Sequence, residues 1–281
     1  MVEYVDLHLH TCCSDGSVDP EAIPSLAAEA GVKVVAITDH DTIDGVERTL
    51  DAAARTGVKV IPGVELSTQA DGADLHILGY YINWRDPTLI EQMAFFREQR
   101  LQRARAMVGR LNELGLDLRF ETVLDVAKGA VVGRPHIADA LFREELTVSY
   151  EEAFALYIGY DGPAYLPKYN ISPVEAVRII LDAGGIPVLA HPGTARRDEL
   201  IPEMVRNGLM GIEVYHPMHS PPMREYYTNL ARKHGVLYTG GSDFHGEGRG
   251  KGWIGSECVP RHVADALTHR AKENMNHDYR E

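Results

Sequence analysis

Short apolar runs alternate along this chain with longer stretches of helical periodicity. Tyr4–His10, Val32–Thr38, Lys59–Val64, Leu75–Tyr81, Ile186–Ala190, Gly211–Tyr215 and Val236–Gly240 read as strands. The helices between them have legible starts. Asp19-Pro20 and Ser172-Pro173 each place a capping residue before a proline at the first helical position, and glycines close these helices at Gly31 and Gly184-Gly185. Asp44 to Gly57 carries Val46, Leu50, Ala53 and Ala54 at helical spacing. Strand–helix–strand repetition predicts a parallel sheet, and about seven such units predict a closed or nearly closed barrel.

The rhythm breaks between Pro87 and Lys168, where only helical patterns occur. Phe96, Leu101, Ala104, Val108 and Leu111 share one face of a long helix ending near Gly115. Phe120–Lys128 and His136–Glu145 read as shorter helices. The expectation is a barrel built from residues 1–86 and 169–281, with residues 87–168 inserted as a helical subdomain over its mouth. The polar stretch Glu273–Glu281 is expected to fray.

Composition narrows the function. With 281 residues, 44% hydrophobic and 25% charged, the chain is neither disordered nor membrane-embedded in character. A net charge of −13 argues against a general nucleic-acid coat, although metals or local arginines can reverse the field at a phosphate site. Three cysteines, two of them adjacent (Cys12, Cys13), form neither a disulfide framework nor a CxxC pair. No signal-like or membrane-length segment is present, so a soluble cytoplasmic protein is expected. Thirteen histidines stand out.

Many of those histidines sit where strands should end. In Val5-Asp6-Leu7-His8-Leu9-His10, a strand puts Asp6, His8 and His10 on one face, so two imidazoles can converge on one ion. The pair alone is a chance pattern. Yet Thr38-Asp39-His40-Asp41, Gly63-Val64-Glu65, Asp74-Leu75-His76, Ala190-His191-Pro192 and Gly241-Ser242-Asp243-Phe244-His245 repeat the placement. Barrel strands meet at their carboxyl ends, where active sites form. Imidazole and carboxylate without thiolate suit Mn²⁺, Fe²⁺ or Zn²⁺ in an open site, and the candidate ligands outnumber what one ion needs. Two or three ions sharing bridging groups fit better.

These motifs, with Ser14-Asp15-Gly16, resemble the PHP (polymerase and histidinol phosphatase) family. The resemblance implies a distorted (β/α)₇ TIM-like barrel with up to three metals, manganese first. It implies that His8, His10, Glu65 and Asp243 hold one ion, that bridging Glu65 with His76 and His191 holds a second, and that Asp15, His40 and His245 hold a third. Glu65, Asp243 and His245 would be the catalytic residues. Water activated between two cations would attack phosphorus in line, with His216 or His245 helping the leaving oxygen. No serine or cysteine sits in a nucleophile elbow.

Gly133-Arg134-Pro135-His136, Tyr165-Leu166-Pro167-Lys168 and Glu213-Val214-Tyr215-His216-Pro217 resemble the branch of nucleoside 3′,5′-bisphosphate phosphatases and 5′→3′ exoribonucleases. Substrate contacts are expected from Arg134, His136, Lys168, His216, Arg100 and Arg103, with Arg97, Arg105 and Arg110 adding to a basic helix. His136 and His219 read equally as capping or packing residues, and His234, His262, His269 and His277 as surface ones. The expected substrate is a small phosphorylated nucleotide, with short RNA or histidinol phosphate as alternatives and no obligate protein partner or membrane. A non-catalytic barrel is disfavoured, because buried histidine–carboxylate clusters are costly without a ligand.

Overall fold

A computed structural model describes residues 3–169, 171–246 and 252–278. All seven expected strands form: β1 (Tyr4–Leu9), β2 (Val32–Ile37), β3 (Lys59–Ala70), β4 (Ala73–Tyr80), β5 (Ile186–Leu189), β6 (Gly211–Tyr215) and β7 (Leu237–Gly240). A two-residue eighth, β8 (Val259–Pro260), pairs antiparallel with the outer side of β1. The sheet runs β7-β6-β5-β4-β3-β2-β1-β8 and curls into a nearly closed, distorted barrel. Closure comes beyond the end of β7, where Leu9 bridges Phe244 and the His10 N–H donates to the Phe244 carbonyl at 2.9 Å. Glycine permits that approach, since a Cβ at Gly241 would lie 2.3 Å from the His8 nitrogen.

The expectation of a wholly parallel sheet is wrong in one place. β3 turns directly into β4, and β4 runs antiparallel to both β3 and β5. The turn is Asp71-Gly72, at φ 46° and 80°, the pair of positive angles that a two-residue hairpin needs. His76 therefore lies in the first half of its strand. Because the strand is reversed, that half sits beside the carboxyl ends of its neighbours.

Helices cover the barrel: α1 (Ile23–Glu29), α2 (Asp44–Ala53), α7 (Pro173–Asp182), α8 (Pro192–Ala195), α9 (Ile201–Arg206), α10 (Pro221–His234) and α11 (Arg261–Asp278). α7 starts with a reciprocal cap, in which the Ser172 hydroxyl accepts from the Glu175 N–H and the Glu175 carboxylate accepts from the Ser172 N–H. Asp19, by contrast, makes no side-chain cap, and a 3₁₀ turn at Pro20–Ala22 precedes α1. α2 ends at Ala53, short of Gly57. Helix α11 continues to Asp278 through most of the stretch expected to fray, while residues 279–281 lie outside the described residues, as does the side chain of His277.

Between β4 and α7 come α3 (Pro87–Glu113), α4 (Phe120–Ala127), α5 (Arg134–Arg143) and α6 (Tyr150–Ala153), the last running into a π turn at Phe154–Ile158. Helix α3 serves two cores. Its first half buries Leu89, Met93 and Phe96 against the barrel cluster of Val64, Leu66, Ile77 and Ile180. Its second half buries Ala104, Met107, Val108 and Leu111 with Leu118, Val123, Ile137 and Leu141, a separate cluster. One rigid helix anchored at both ends holds the arginines between those clusters at a fixed height over the barrel mouth.

Candidate active site

β1 supplies the floor. His8 and His10 are fully buried on its inner face, and their Nε2 atoms lie 3.1 Å apart. Glu65 Oε2 is 3.2 Å from each, and Asp243 Oδ1 is 3.5 Å from His8 Nε2 and 3.2 Å from His10 Nε2. Ligands about 2.1 Å from a tetrahedral ion stand about 3.4 Å from one another. The four atoms are spaced as the corners of such a site.

Glu65 is the hub. Just past the β2–β3 pairing, His40 bridges Glu65, which puts His40 Nδ1 3.1 Å from Oε2. The other oxygen, Oε1, faces His76 Nδ1 at 2.8 Å and His191 Nε2 at 3.0 Å. Five imidazoles thus surround one buried carboxylate. Beside them, His10, Asp15, His40 and His245 form a further cluster whose donor atoms lie within 4.8 Å of one another. In that cluster His245 Nε2 is 3.3 Å from Asp15 Oδ1. His10 Nδ1, Asp15 Oδ1 and His40 Nδ1 are buried without a hydrogen-bond partner. Orphaned donor atoms at ion-pair distance, misaligned for hydrogen bonds, are what a cation-binding pocket presents.

The electrostatics agree. Burial opposes charge on His8, but Glu213, Glu65 and Asp243 hold its pKa well above the ordinary value. Against the same burial, Asp243 and Glu65 raise His10 to about 9. Burial also opposes ionisation of Asp15 and Glu65, yet the surrounding histidines keep both carboxyls well below their usual range. Burial pushes His40 down instead, despite Glu65 and Asp15. Positive charge is wanted here in excess of what these imidazoles comfortably carry.

Backbone geometry aims several of these groups. His191 and Asp243 adopt φ of 24° and 50°, angles that side-chain-bearing residues rarely take. The His245 Nδ1 atom is 2.8 Å from the Asp243 carbonyl, so Nδ1–H donates and the Nε2 lone pair faces Asp15.

Over this floor lies a cavity of about 490 Å³, lined by Asp15, His40, His76 and His191 on one side and by Arg100, Arg103, Arg134 and Lys168 on the other. Asp41 accepts from Arg100 Nε at 2.7 Å, and Asp74 lies 3.4 Å from Lys168 Nζ. Arg103 and Arg134 are in no ion pair among the described residues. Arg103 donates to the Leu166 carbonyl at 2.8 Å, and burial with neighbouring Arg134 and Arg100 lowers its pKa to about 10. Arg134 lies 4.5 Å from the ring of Tyr160 and 5.4 Å from that of Tyr165. Those rings fix the guanidinium plane.

The other expected contacts fall elsewhere. His136 does not line this cavity; its Nδ1 accepts the Gly133 N–H at 3.0 Å and helps start α5. His216 is buried beneath the site, with Nδ1 accepting from the Met218 N–H and Nε2 3.3 Å from Asp243 Oδ2. His219 packs internally, between the Val214 carbonyl and the Gly193 N–H. Of the remaining α3 arginines, Arg97 pairs with Asp44, Arg105 covers the Phe120 ring and Arg110 donates to the Tyr165 carbonyl. His262 contacts the Tyr238 hydroxyl at 3.1 Å.

Four buried carboxylates had no role assigned from sequence. Glu213 lies 2.9 Å from His8 Nδ1. Asp39 accepts from the Thr11 N–H and the Ser14 hydroxyl, and so anchors the loop that carries Asp15. Asp6 accepts from the Ser242 and Gly255 N–H groups across the barrel closure. Asp41 accepts from Ser67 N–H while holding Arg100. An acid inside an apolar strand was the available signal for Asp6 and Glu213.

A barrel mouth that joins imidazoles and carboxylates to unpaired arginines belongs to a hydrolase of phosphoric esters. Residues 6–162 match the model of the PHP domain, and the chain belongs to that family. It is 32% identical over 263 residues to a 3′,5′-nucleoside bisphosphate phosphatase of Chromobacterium violaceum, covering 91% of this chain and 92% of that protein. It is 33% identical to the 5′-3′ exoribonuclease Rnm of Escherichia coli (85% and 84% covered). It is 32% identical to a phosphoribosyl 1,2-cyclic phosphate 1,2-diphosphodiesterase of Eggerthella lenta (86% and 94% covered). A solved structure from Bifidobacterium adolescentis, described as a metal-dependent phosphoesterase, superposes with TM-score 0.87 at 31% identity, covering 95% of this chain and 96% of that one. No helix among the described residues is long and apolar enough to cross a membrane.

Proposed function

We propose that this chain hydrolyses the 3′-phosphate of nucleoside 3′,5′-bisphosphates, releasing inorganic phosphate and a nucleoside 5′-monophosphate. The carrying observation is the pair of arginines without carboxylate partners, Arg103 and Arg134, facing the histidine–carboxylate floor across one cavity. A substrate with two phosphates occupies both sides: one at the floor, where it reacts, and one on the guanidiniums, where it is held.

In this reading His8, His10, Glu65 and Asp243 hold one divalent ion, Glu65 with His76 and His191 a second, and Asp15, His40 and His245 a third. Manganese is the expected metal, with iron or zinc as alternatives of similar ligand preference. When bound, such ions polarise the phosphoryl oxygens and make water acidic enough to react near neutral pH. The chain's own side chains do the rest. Arg134, flattened against Tyr160 and Tyr165, presents its N–H edge to the unreacting phosphate. Lys168 is steered by Asp74, which also accepts from the Tyr160 hydroxyl at 2.7 Å. His216 is committed to Asp243 below the floor, which leaves His245 as the better of the two expected aids to the leaving oxygen.

Histidinol phosphate is disfavoured, because its own ammonium group would face these cations. Release of nucleotides from short 5′-phosphorylated RNA uses the same two-anion recognition and is the second reading, favoured by the resemblance to the E. coli exoribonuclease. Parallel kcat/KM measurements on adenosine 3′,5′-bisphosphate, a short 5′-phosphorylated RNA, histidinol phosphate and an aryl phosphate distinguish them. The bisphosphate should rank first. Preference for histidinol phosphate, or no preference over the aryl ester, overturns the reading.

A further inference from the structure

Glu213 stands at the middle of β6 between Ile212 and Val214, fully buried among groups that gain nothing from a charge. Burying a carboxylate is costly unless both of its oxygens find donors. They do. Oε1 lies 2.9 Å from His8 Nδ1, on a strand across the barrel interior, and Oε2 accepts the His191 backbone N–H at 2.7 Å. His191 is the residue held at φ 24°. One side chain therefore ties together two histidines that approach Glu65 from opposite sides.

We infer that Glu213 is a positioning residue: it keeps the His8 proton on Nδ1, so that the Nε2 lone pair faces Glu65 and His10, and it fixes His191 in its strained backbone conformation. The inference rests on the reading of His8 and His191 as metal ligands. An imidazole offers a lone pair on one nitrogen only when its proton sits on the other, and a neighbouring acceptor decides which. Here that acceptor is a carboxylate with no hydrogen of its own to offer. The His191 N–H engages the second oxygen, so the carboxylate cannot rotate away from His8 without leaving a buried donor unpaired.

Glutamine at this position makes the point testable with almost no change of volume. Its amide has one acceptor and one donor end. With the oxygen toward His191, the NH₂ group faces His8 Nδ1 and favours the opposite tautomer, with the hydrogen on Nε2 where the lone pair is needed. Flipped, the NH₂ group opposes the His191 N–H. Either way one of the two ties fails.

The experiment compares wild type, Glu213→Gln and His8→Ala by Mn²⁺ binding and by NMR of the Zn²⁺-loaded, ¹⁵N-histidine-labelled proteins. Wild type should show a hydrogen-bonded Nδ1–H resonance that disappears in His8→Ala. Glu213→Gln should lose that resonance and bind its weakest Mn²⁺ about ten- to a hundredfold less tightly, the usual effect of removing a ligand's hydrogen-bond partner. Excess Mn²⁺ should restore part of its kcat, which a purely structural defect would not allow. Unchanged Mn²⁺ affinity in Glu213→Gln beside a loss in His8→Ala overturns the positioning role while sparing the ligand reading. Unchanged affinity in His8→Ala overturns the ligand reading itself. If Glu213→Gln does not fold, wild type alone decides: a His8 hydrogen found on Nε2 rather than Nδ1 overturns the inference.

Discussion

Arg134 lies flat against Tyr160, its guanidinium carbon 4.5 Å from the ring centre, and the Tyr160 hydroxyl is anchored on Asp74. An arginine held this way loses little freedom when an anion arrives, so its contact discriminates well. Arg134→Ala should lower kcat/KM about ten- to a hundredfold on a nucleoside 3′,5′-bisphosphate, the usual weight of a charge-assisted contact. On an aryl phosphate, which has no second anion, kcat/KM should barely change. Equal losses on both substrates would place Arg134 at the reacting phosphate.

Glu65 contacts five imidazoles, so its removal should reach further than that of any one histidine. Glu65→Ala should retain less than one tightly bound metal per chain, against at least two in wild type after reconstitution with Mn²⁺. Elemental analysis after gel filtration reads this directly. Wild type holding clearly fewer than two ions would contradict the shared-ligand arrangement.

Asp243 contributes one oxygen toward His8 and His10 while its other oxygen meets His216. Asp243→Ala and His191→Ala should each abolish turnover with the far-UV spectrum and melting temperature nearly unchanged. A kcat near wild type in either would show that the reaction runs elsewhere.

Metal loading should depend on pH with a defined sign. Without metal, His10 titrates at about 9 and is protonated at neutral pH. A cation must displace that proton, so apparent Mn²⁺ affinity should rise with pH up to about 9 and level off above it. Loading at pH 7 should release protons into a weakly buffered solution. A flat affinity between pH 6 and about 9 would mean that His10 is not displaced.

Ser172 offers a control far from chemistry. Its cap on α7 is reciprocal with Glu175, and Ser172→Ala should cost about 1 kcal/mol of stability in urea unfolding. The kcat should stay unchanged.

The seven principal strands and the convergence of the histidines were legible because burial period and terminal residues are local signals. His8 and His10 had to share a face once β1 was a strand. The reversal of β4 was not read, although Asp71-Gly72 is a hairpin pair, because the alternation beyond it was taken as one more parallel unit. His136 was grouped with Arg134 by proximity along the chain. A helix start turns neighbours in different directions, and its ring was needed by the Gly133 N–H. Glu213 and Asp6 act through backbone and ring contacts with residues far away along the chain, which no local pattern encodes.

The hairpin at Asp71-Gly72 has a consequence for how such a site diversifies. Gly72, Ala73 and Asp74 form part of the cavity wall, opposite the arginines. Elsewhere on the rim, a strand-to-helix connection leads into a crossover that must return to a fixed register, so a longer loop there strains the whole unit. A hairpin tip has no such obligation: residues added between Ala70 and Ala73 leave the Ser67–His76 pairing in place. Insertions at this tip can therefore raise or lower one bank of the pocket, and change which leaving groups fit, while His76 stays in register with Glu65.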